Sequence, residues 1–287
     1  MPPYVYLNGR LIEKSDASIA IYDHGFLYGD GIFEGLRVYG GSVFMLDEHL
    51  KRLYRSAQAL GIEISITPDA MKAAVLETVA ANQVTGAYIR LTVSRGVGLG
   101  LDPKHIDLSS TIVISTEQIR LYPSSAYENG LDVITASTRV PPKQCIDPQI
   151  KSLGRYINNI LAKMEANRVG AGEALMLNLA GNVAEATGDN LFIVRDEGLI
   201  TPPTTEGALP GITRAVVIQE AKKEGIECHE ECLSLYDVYN ADEAFLTGTA
   251  AEVIPMVQLD GRKIGGGKPG PITRRLLHLF HESTHRS

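Results

Sequence analysis

Strand-like and helix-like stretches follow one another irregularly along this chain, and that irregularity constrains the fold more than any other feature. A doubly wound parallel sheet needs strand and helix in regular alternation. Here a hairpin comes first, then a longer strand, two helices and two more strands. Asn8-Gly9, between Val5-Tyr6-Leu7 and Arg10-Leu11-Ile12, is the hairpin turn, because both residues tolerate the positive φ of a two-residue turn. A strand is expected over 32–39, followed by Gly40-Gly41 and a short apolar run at 43–45. A helix is expected over 46–60, since Leu46, Leu50, Leu53, Ala57 and Leu60 share one face and Gly61 stops it. A second helix over 68–82 and buried strands over 87–94 and 110–115 complete the first part.

Between residues 117 and 130 the periodicity fails. Tyr122-Pro123-Ser124-Ser125 and Asn129-Gly130 are loop chemistry. This predicts a linker over 119–131, joining a small N-terminal α/β domain (1–118) to a larger C-terminal domain (132–287). In the second part, strands are expected over 131–137, 173–179, 190–194 and 243–246, and helices over 156–169 and 213–224. The expected class is α+β in two domains, with a site between them.

With 44% apolar and 21% charged residues over 287 positions, the chain can bury a sizeable core without disulfides. A net charge of −7 argues against a nucleic-acid surface, although it leaves room for a local basic pocket. No apolar run is long enough to span a bilayer. The N-terminal residues lack the basic-then-apolar pattern of a signal peptide. Three cysteines, an odd number, fit free thiols in a reducing compartment, so the cytoplasm is expected.

Chemistry gathers in a particular order. Arg52 lies on the first expected helix. Lys151 stands at a loop end before a helix. Then come Val183 to Asn190 with Glu185 among small residues, Leu209-Pro210-Gly211-Ile212-Thr213-Arg214 opening a helix, and Gly248-Thr249-Ala250-Ala251. Taken singly, each has a bland reading: a solvated lysine, an exposed helix arginine, a polar loop glutamate, an ordinary helix cap, a turn of small residues. Together they match the parts of pyridoxal 5'-phosphate. The lysine can form a Schiff base with the aldehyde. The carboxylate can keep the pyridine nitrogen protonated, and the ring then draws electrons from the substrate. The helix start, the second turn and the arginine can take the phosphate. Arg90 sits inside the apolar strand Ala87-Tyr88-Ile89-Arg90-Leu91, where a charge needs a partner or a ligand; a substrate carboxylate would serve.

Other matches fail on physical grounds. His281-Glu282-Ser283-Thr284-His285 has the letters of a zinc motif, but no further ligand follows it. Cys228 and Cys232 lack metal-ligand spacing. Gly265-Gly266-Gly267-Lys268 is followed by Pro269 where a phosphate-binding loop needs Ser or Thr, and Gly29-Asp30-Gly31 lacks the third glycine of a dinucleotide turn. No metal site is expected.

In combination, Tyr28-Gly29-Asp30-Gly31-Ile32-Phe33-Glu34-Gly35, Ala87 to Arg90, Glu185 with Thr187 to Asn190, Leu209 to Arg214 and Gly248 to Glu252 resemble the branched-chain amino-acid aminotransferases of the class IV, fold-type IV pyridoxal phosphate family. The likeness runs from the Tyr4 hairpin to Thr273. It implies a D-amino-acid-aminotransferase-like fold with the active site at the domain and dimer interface. It implies that Lys151 binds the cofactor and carries the proton between substrate Cα and cofactor C4′. Glu185 then pairs with the pyridine nitrogen, Tyr156 with the ring hydroxyl, and Leu209 packs on the ring. Arg52, Ile212, Thr213 and Thr249 take the phosphate. The amides of Ala250 and Ala251, with Tyr88, hold the substrate carboxylate. Phe33, Gly35, Arg37, Arg90, Tyr28 and Leu101 shape the side-chain pocket, the last two coming from a partner subunit of a homodimer or larger homo-oligomer. The implied reaction exchanges an amino group between L-leucine, L-isoleucine or L-valine and 2-oxoglutarate. D-amino-acid or (R)-amine transfer on the same fold is the alternative, and a non-catalytic anion-binding module is the rival of another class. One residue departs from the pattern: Arg155 stands where many relatives have Asn before the tyrosine, as either a cation near the site entrance or a member of an ion pair behind the residues that touch the ligands.

Overall fold

The computed structural model describes residues 3–107, 109–118 and 121–285. The chain divides into two compact units, residues 1–119 with 150–154, and residues 120–149 with 155–286.

The first unit holds β1 (Tyr4–Leu7), β2 (Arg10–Glu13), α1 (His24–Tyr28), β3 (Gly31–Tyr39), β4 (Ser42–Val43), α2 (Leu46–Leu60), α3 (Pro68–Ala81), β5 (Ala87–Ser94) and β6 (Thr111–Glu117). Its six strands form one antiparallel sheet in the order β2-β1-β6-β5-β3-β4. Period-two alternation sends Ile32, Leu36, Ile89, Leu91 and Val93 to one face, where Leu50 and Leu53 of α2 and Met71 and Val75 of α3 cover them. Phe33, Gly35 and Arg37 lie on the other face, opposite Thr92, Arg90 and Tyr88 respectively. The expected strands and helices all form, within two residues of their expected ends. The five-residue helix α1 is not in the expectation, because a stretch that short carries no readable period.

The second unit holds α4 (Ser124–Asn129), β7 (Leu131–Thr135), α5 (Tyr156–Arg168), β8 (Glu173–Leu177), β9 (Val183–Ala186), β10 (Asn190–Arg195), β11 (Gly198–Thr201), α6 (Ile212–Lys223), β12 (Cys228–Glu230), α7 (Leu235–Tyr239), β13 (Glu243–Gly248), β14 (Glu252–Leu259), β15 (Arg262–Lys263) and α8 (Pro271–His285). Its sheet runs β12-β11-β10-β13-β14-β7-β8-β9, with β15 beside β14. The β11–β12, β14–β7 and β7–β8 pairs are parallel. Leu175, Leu191, Ile193, Leu246 and Ile254 belong to one apolar cluster. The rings of Phe192 and Phe245 stack 5.0 Å apart across the β10–β13 ladder.

Two expectations need amendment here. The stretch read as linker is not featureless: it carries α4, while Ile119 and Arg120 at its start lie outside the described residues. β9, β11, β12, β14, β15 and α7 were not among the expected elements; β14 is an eight-residue strand that contains Pro255, a residue rarely found inside one. The sheet accommodates the proline because β7 pairs with β14 only from Met256 onward.

Candidate functional site

In the first unit the segment 150–154 lies against β3. The Phe33 N–H donates to the Lys151 carbonyl (3.1 Å) and the Lys151 N–H to Ser56 Oγ (3.2 Å). The Lys151 Nζ stands 4.7 Å from the centre of the Phe33 ring, and the Arg90 guanidinium stands 3.5 Å from the same centre. Arg90 Nε also donates to Thr92 Oγ1. Two cations over one aromatic ring gain from its quadrupole, and they give this sheet face both an apolar wall and positive charge. A Cβ at Gly35 would sit 2.2 Å from the Tyr88 hydroxyl oxygen, so a larger residue there would displace the Tyr88 ring. Phe33, Gly35, Arg37, Tyr88 and Arg90, five of the expected substrate residues, therefore share one face. Tyr28, the last residue of α1, is tied to the loop that carries Leu101, where the Gly100 N–H donates to the Tyr28 hydroxyl (3.3 Å).

Arg52 is not the exposed helix arginine of its bland reading; it is 8% exposed. Its Nε and Nη2 donate in a fork to Glu34 Oε1 and Oε2, both at 2.7 Å, and His49 Nδ1 lies 2.8 Å from Glu34 Oε2. Burial pushes Glu34 up, but the charge and hydrogen bonds of Arg52, with those of His49, prevail and take it down to about 2. Burial pushes His49 below its ordinary value; the hydrogen bond and charge of Glu34 oppose that, and the charges of Arg52 and Lys151 add to it. Sequence reading missed the roles of Glu34 and His49. Their signal was a carboxylate in the apolar strand Ile32 to Leu36 and a histidine one turn before Arg52.

In the second unit Glu185 is a strand residue, not a loop residue, and is 4% exposed. Leu209 N–H donates to its Oε2 (2.8 Å) and Arg155 Nη2 to its Oε1. Arg155 is thus a buried ion-pair member and not an entrance cation. Asn190 Nδ2 donates to the Leu209 carbonyl (2.9 Å), fixing the turn that opens α6. At that helix start Gly211 supplies no side-chain cap, so the first N–H groups of Ile212, Thr213 and Arg214 are left for an anion. Tyr156 opens α5. Thr249, Ala250 and Ala251 form the turn between β13 and β14. A Cβ at Gly248, just before it, would displace the Asp189 carboxylate, whose Oδ1 lies 1.8 Å from where that atom would be. Glu185, Leu209, Asn190, Asp189 and Gly248 thereby form one chain of contacts and sequence neighbours.

Asp189 belongs to a buried acidic group. Tyr122 Oη donates to Glu173 (2.9 Å) and, weakly, to Asp189 (3.5 Å); Glu173 also accepts from Thr187 (2.6 Å) and Lys163 (3.1 Å). Burial, then the charges of Glu173 and Glu185, outweigh Lys163 and push Asp189 up to about 7. A carboxyl raised by folding stabilises the fold below its unfolded value of 3.8, and that contribution is lost as pH rises through 7. Asp189→Asn should therefore melt progressively higher than the parent as pH is raised from 5 to 8. Thermal melts at the two pH values check this, and an equal difference at both would refute it.

Of the zinc-like motif, His281 Nε2 lies 2.8 Å from Glu252, and Glu282 pairs with His278 (3.1 Å) one turn earlier on α8. Among the described residues no group of three or more His, Cys, Asp or Glu is placed to hold a metal ion. No helix among them is long and apolar enough to cross a membrane.

The chain belongs to the amino-transferase class IV family, whose model matches residues 31–259, and that class uses pyridoxal phosphate. Within that family it is similar to proteins named for branched-chain substrates. A Methanocaldococcus jannaschii protein, provisionally named a branched-chain-amino-acid aminotransferase, is 48% identical over 97% of this chain and 95% of its own. The crystal structure of the Escherichia coli branched-chain amino acid aminotransferase superposes with a TM-score of 0.95 at 36% identity, covering 98% of this chain and 94% of that one. The T.th. branched-chain amino acid aminotransferase, solved with pyridoxamine 5'-phosphate, has a TM-score of 0.94 at 35% identity, covering 100% and 96%. It has also been solved with N-(5'-phosphopyridoxyl)-L-glutamate and with 4-methylvaleric acid.

Proposed function

We propose that this chain transfers amino groups between L-leucine, L-isoleucine or L-valine and 2-oxoglutarate, using pyridoxal 5'-phosphate. The residues present fit that cofactor. Glu185 offers a buried carboxylate to the pyridine nitrogen, and the uncapped start of α6 offers amides to the phosphate. Arg52, already oriented by Glu34, offers a guanidinium. Tyr156, Leu209, Ile212, Thr213 and Thr249 complete the set that would hold it. The bound cofactor supplies an electron-withdrawing ring that makes the substrate Cα–H acidic. Lys151 holds the cofactor covalently and moves that proton. The amides of Ala250 and Ala251, with the Tyr88 hydroxyl, orient the substrate carboxylate.

The observation that carries the substrate class is the face of β3 and β5 that bears Phe33 and Arg90. The Phe33 ring is an apolar wall for a branched side chain, and the Arg90 guanidinium above it is a partner for the second carboxylate of glutamate. A relative that has been complexed with both a glutamate adduct and a branched aliphatic acid supports one pocket serving both. Steady-state rates for L-leucine, D-leucine and an (R)-amine against 2-oxoglutarate test the reading; faster turnover of the D-amino acid or the amine would overturn it. Arg90→Leu should lower kcat/KM for 2-oxoglutarate by about tenfold or more while changing the leucine half-reaction little, as expected for loss of a charge-assisted contact. Equal losses in both would remove Arg90 from this role.

The assembly is a homodimer or larger homo-oligomer on the same reading. Ile21, Phe26, Leu99 and Leu101 of the first unit are between 68 and 80% exposed. The two segments that carry them are joined by His24 N–H to Gly96 O and Gly98 N–H to Tyr22 O. An apolar patch of this kind calls for a protein partner, and this is the face that carries Tyr28 and Leu101. Sedimentation at micromolar concentration tests it; a monomer would refute it. Free thiols at Cys145, Cys228 and Cys232 are compatible with the reducing cytoplasm. The two-domain division near residues 119–131 is part of the same proposal.

A further inference from the structure

Arg155 precedes the first helical residue of α5 and is 2% exposed. Its Nη2 donates to Glu185 Oε1, and its guanidinium carbon lies 5.4 Å from the centre of the Tyr156 ring. Nε and Nη1 are buried and have no hydrogen-bond partner among the described residues. A buried guanidinium with unmet donors is a poor structural device: an apolar side chain of similar volume commonly serves stability as well or better. Its effect falls instead on Glu185, whose other oxygen already accepts from the Leu209 amide. Of the neighbouring buried network, Asp189 is the charge that interacts with this carboxylate, and Glu173 and Lys163 lie around Asp189.

We propose that Arg155 is a positioning residue that weakens Glu185 as the partner of the cofactor's pyridine nitrogen, so that the ring holds its nitrogen-bound proton less tightly than it would beside a neutral residue 155. The inference rests on the reading of Glu185 given above. Two effects act in the same direction. The Arg155 hydrogen bond draws charge from the carboxylate that would otherwise stabilise the ring cation. The guanidinium itself repels a second positive charge, and does so strongly where water is excluded. Without Arg155, Glu185 would be a buried anion with a single amide donor, and a protonated ring would be its natural counter-charge. The residue that departs from the family pattern thereby sets how strongly the ring withdraws electrons. It does so without touching substrate.

The test uses the full-length holoprotein loaded with pyridoxal phosphate carrying ¹⁵N in the ring, read by ¹⁵N NMR at fixed pH. Arg155→Asn and Arg155→Met, two variants of different volume and polarity, should both move the ring-nitrogen signal toward the protonated form. The underlying rise in proton affinity should be about tenfold or more. Arg155→Lys, which keeps the charge, should stay near the parent. Glu185→Gln should move the signal toward the unprotonated form. If Glu185→Gln shifts the signal and the Asn and Met variants leave it unchanged, the Arg155 inference is overturned and the Glu185 reading stands. If Glu185→Gln leaves it unchanged as well, the Glu185 reading fails and takes the inference with it.

Discussion

With alanine in place of Lys151, transamination should fall by on the order of 10⁴-fold or more, because no other group is proposed to hold the cofactor covalently or to move the Cα proton. The loss should appear in kcat for every amino donor alike. Borohydride should fix the cofactor to the parent protein at a single peptide containing Lys151, and should fix nothing to the variant. Labelling at another lysine, or turnover within tenfold of the parent, would sink the assignment. The Phe33 and Arg90 contacts do not depend on the amine, so the fold should survive the change: the Lys151 backbone bonds to Phe33 and Ser56 remain available to alanine.

The second large effect is on stability. Glu34 is fully buried and holds Arg52 by a fork and His49 by a third bond. Glu34→Gln keeps the volume, but it removes the negative charge and turns an amide donor toward donors. Breaking one side of a buried pair costs about 3 kcal/mol or more, which for a chain of this size lowers Tm by roughly 6–12 °C. Folding depresses Glu34 from its ordinary 4.5 to about 2. Its contribution is therefore fully present above pH 4.5 and is lost as pH falls toward 2. The gap in Tm between parent and variant should be constant from pH 8 to 5 and narrow below 4.5. A gap that widens on acidification would contradict the triad. Cofactor affinity should fall as well, since Arg52 would be left without its orienting partner.

Much of the candidate site was legible because it is written in short stretches. Asn8-Gly9, the 46–60 periodicity and the Leu209-Pro210-Gly211 helix start are local signals, each satisfied within a few residues, and the structure realises them. The face shared by Phe33, Gly35, Arg37, Tyr88 and Arg90 was only half legible. Alternation along β3 groups three of them and alternation along β5 groups two, but the pairing register that sets them opposite one another is a long-range fact. β14 was not read from the sequence: a proline lies within it, and the point at which the neighbouring β7 begins to pair, Met256, is a long-range fact.

The sequence by itself determined the kind of elements, the turn chemistry, and the set of residues with the right functional groups for a cofactor-dependent transfer; these follow from backbone preferences and side-chain chemistry that act over one or two turns. Only the tertiary structure decided their charge environment. Glu34 is 18 residues from Arg52, and Glu185 is 30 from Arg155, so neither pair can be read from periodicity. Burial is what gives those pairs their consequences: in a water-excluded setting each guanidinium sets what its carboxylate can do, and burial is a property of the packed chain, not of any stretch of it.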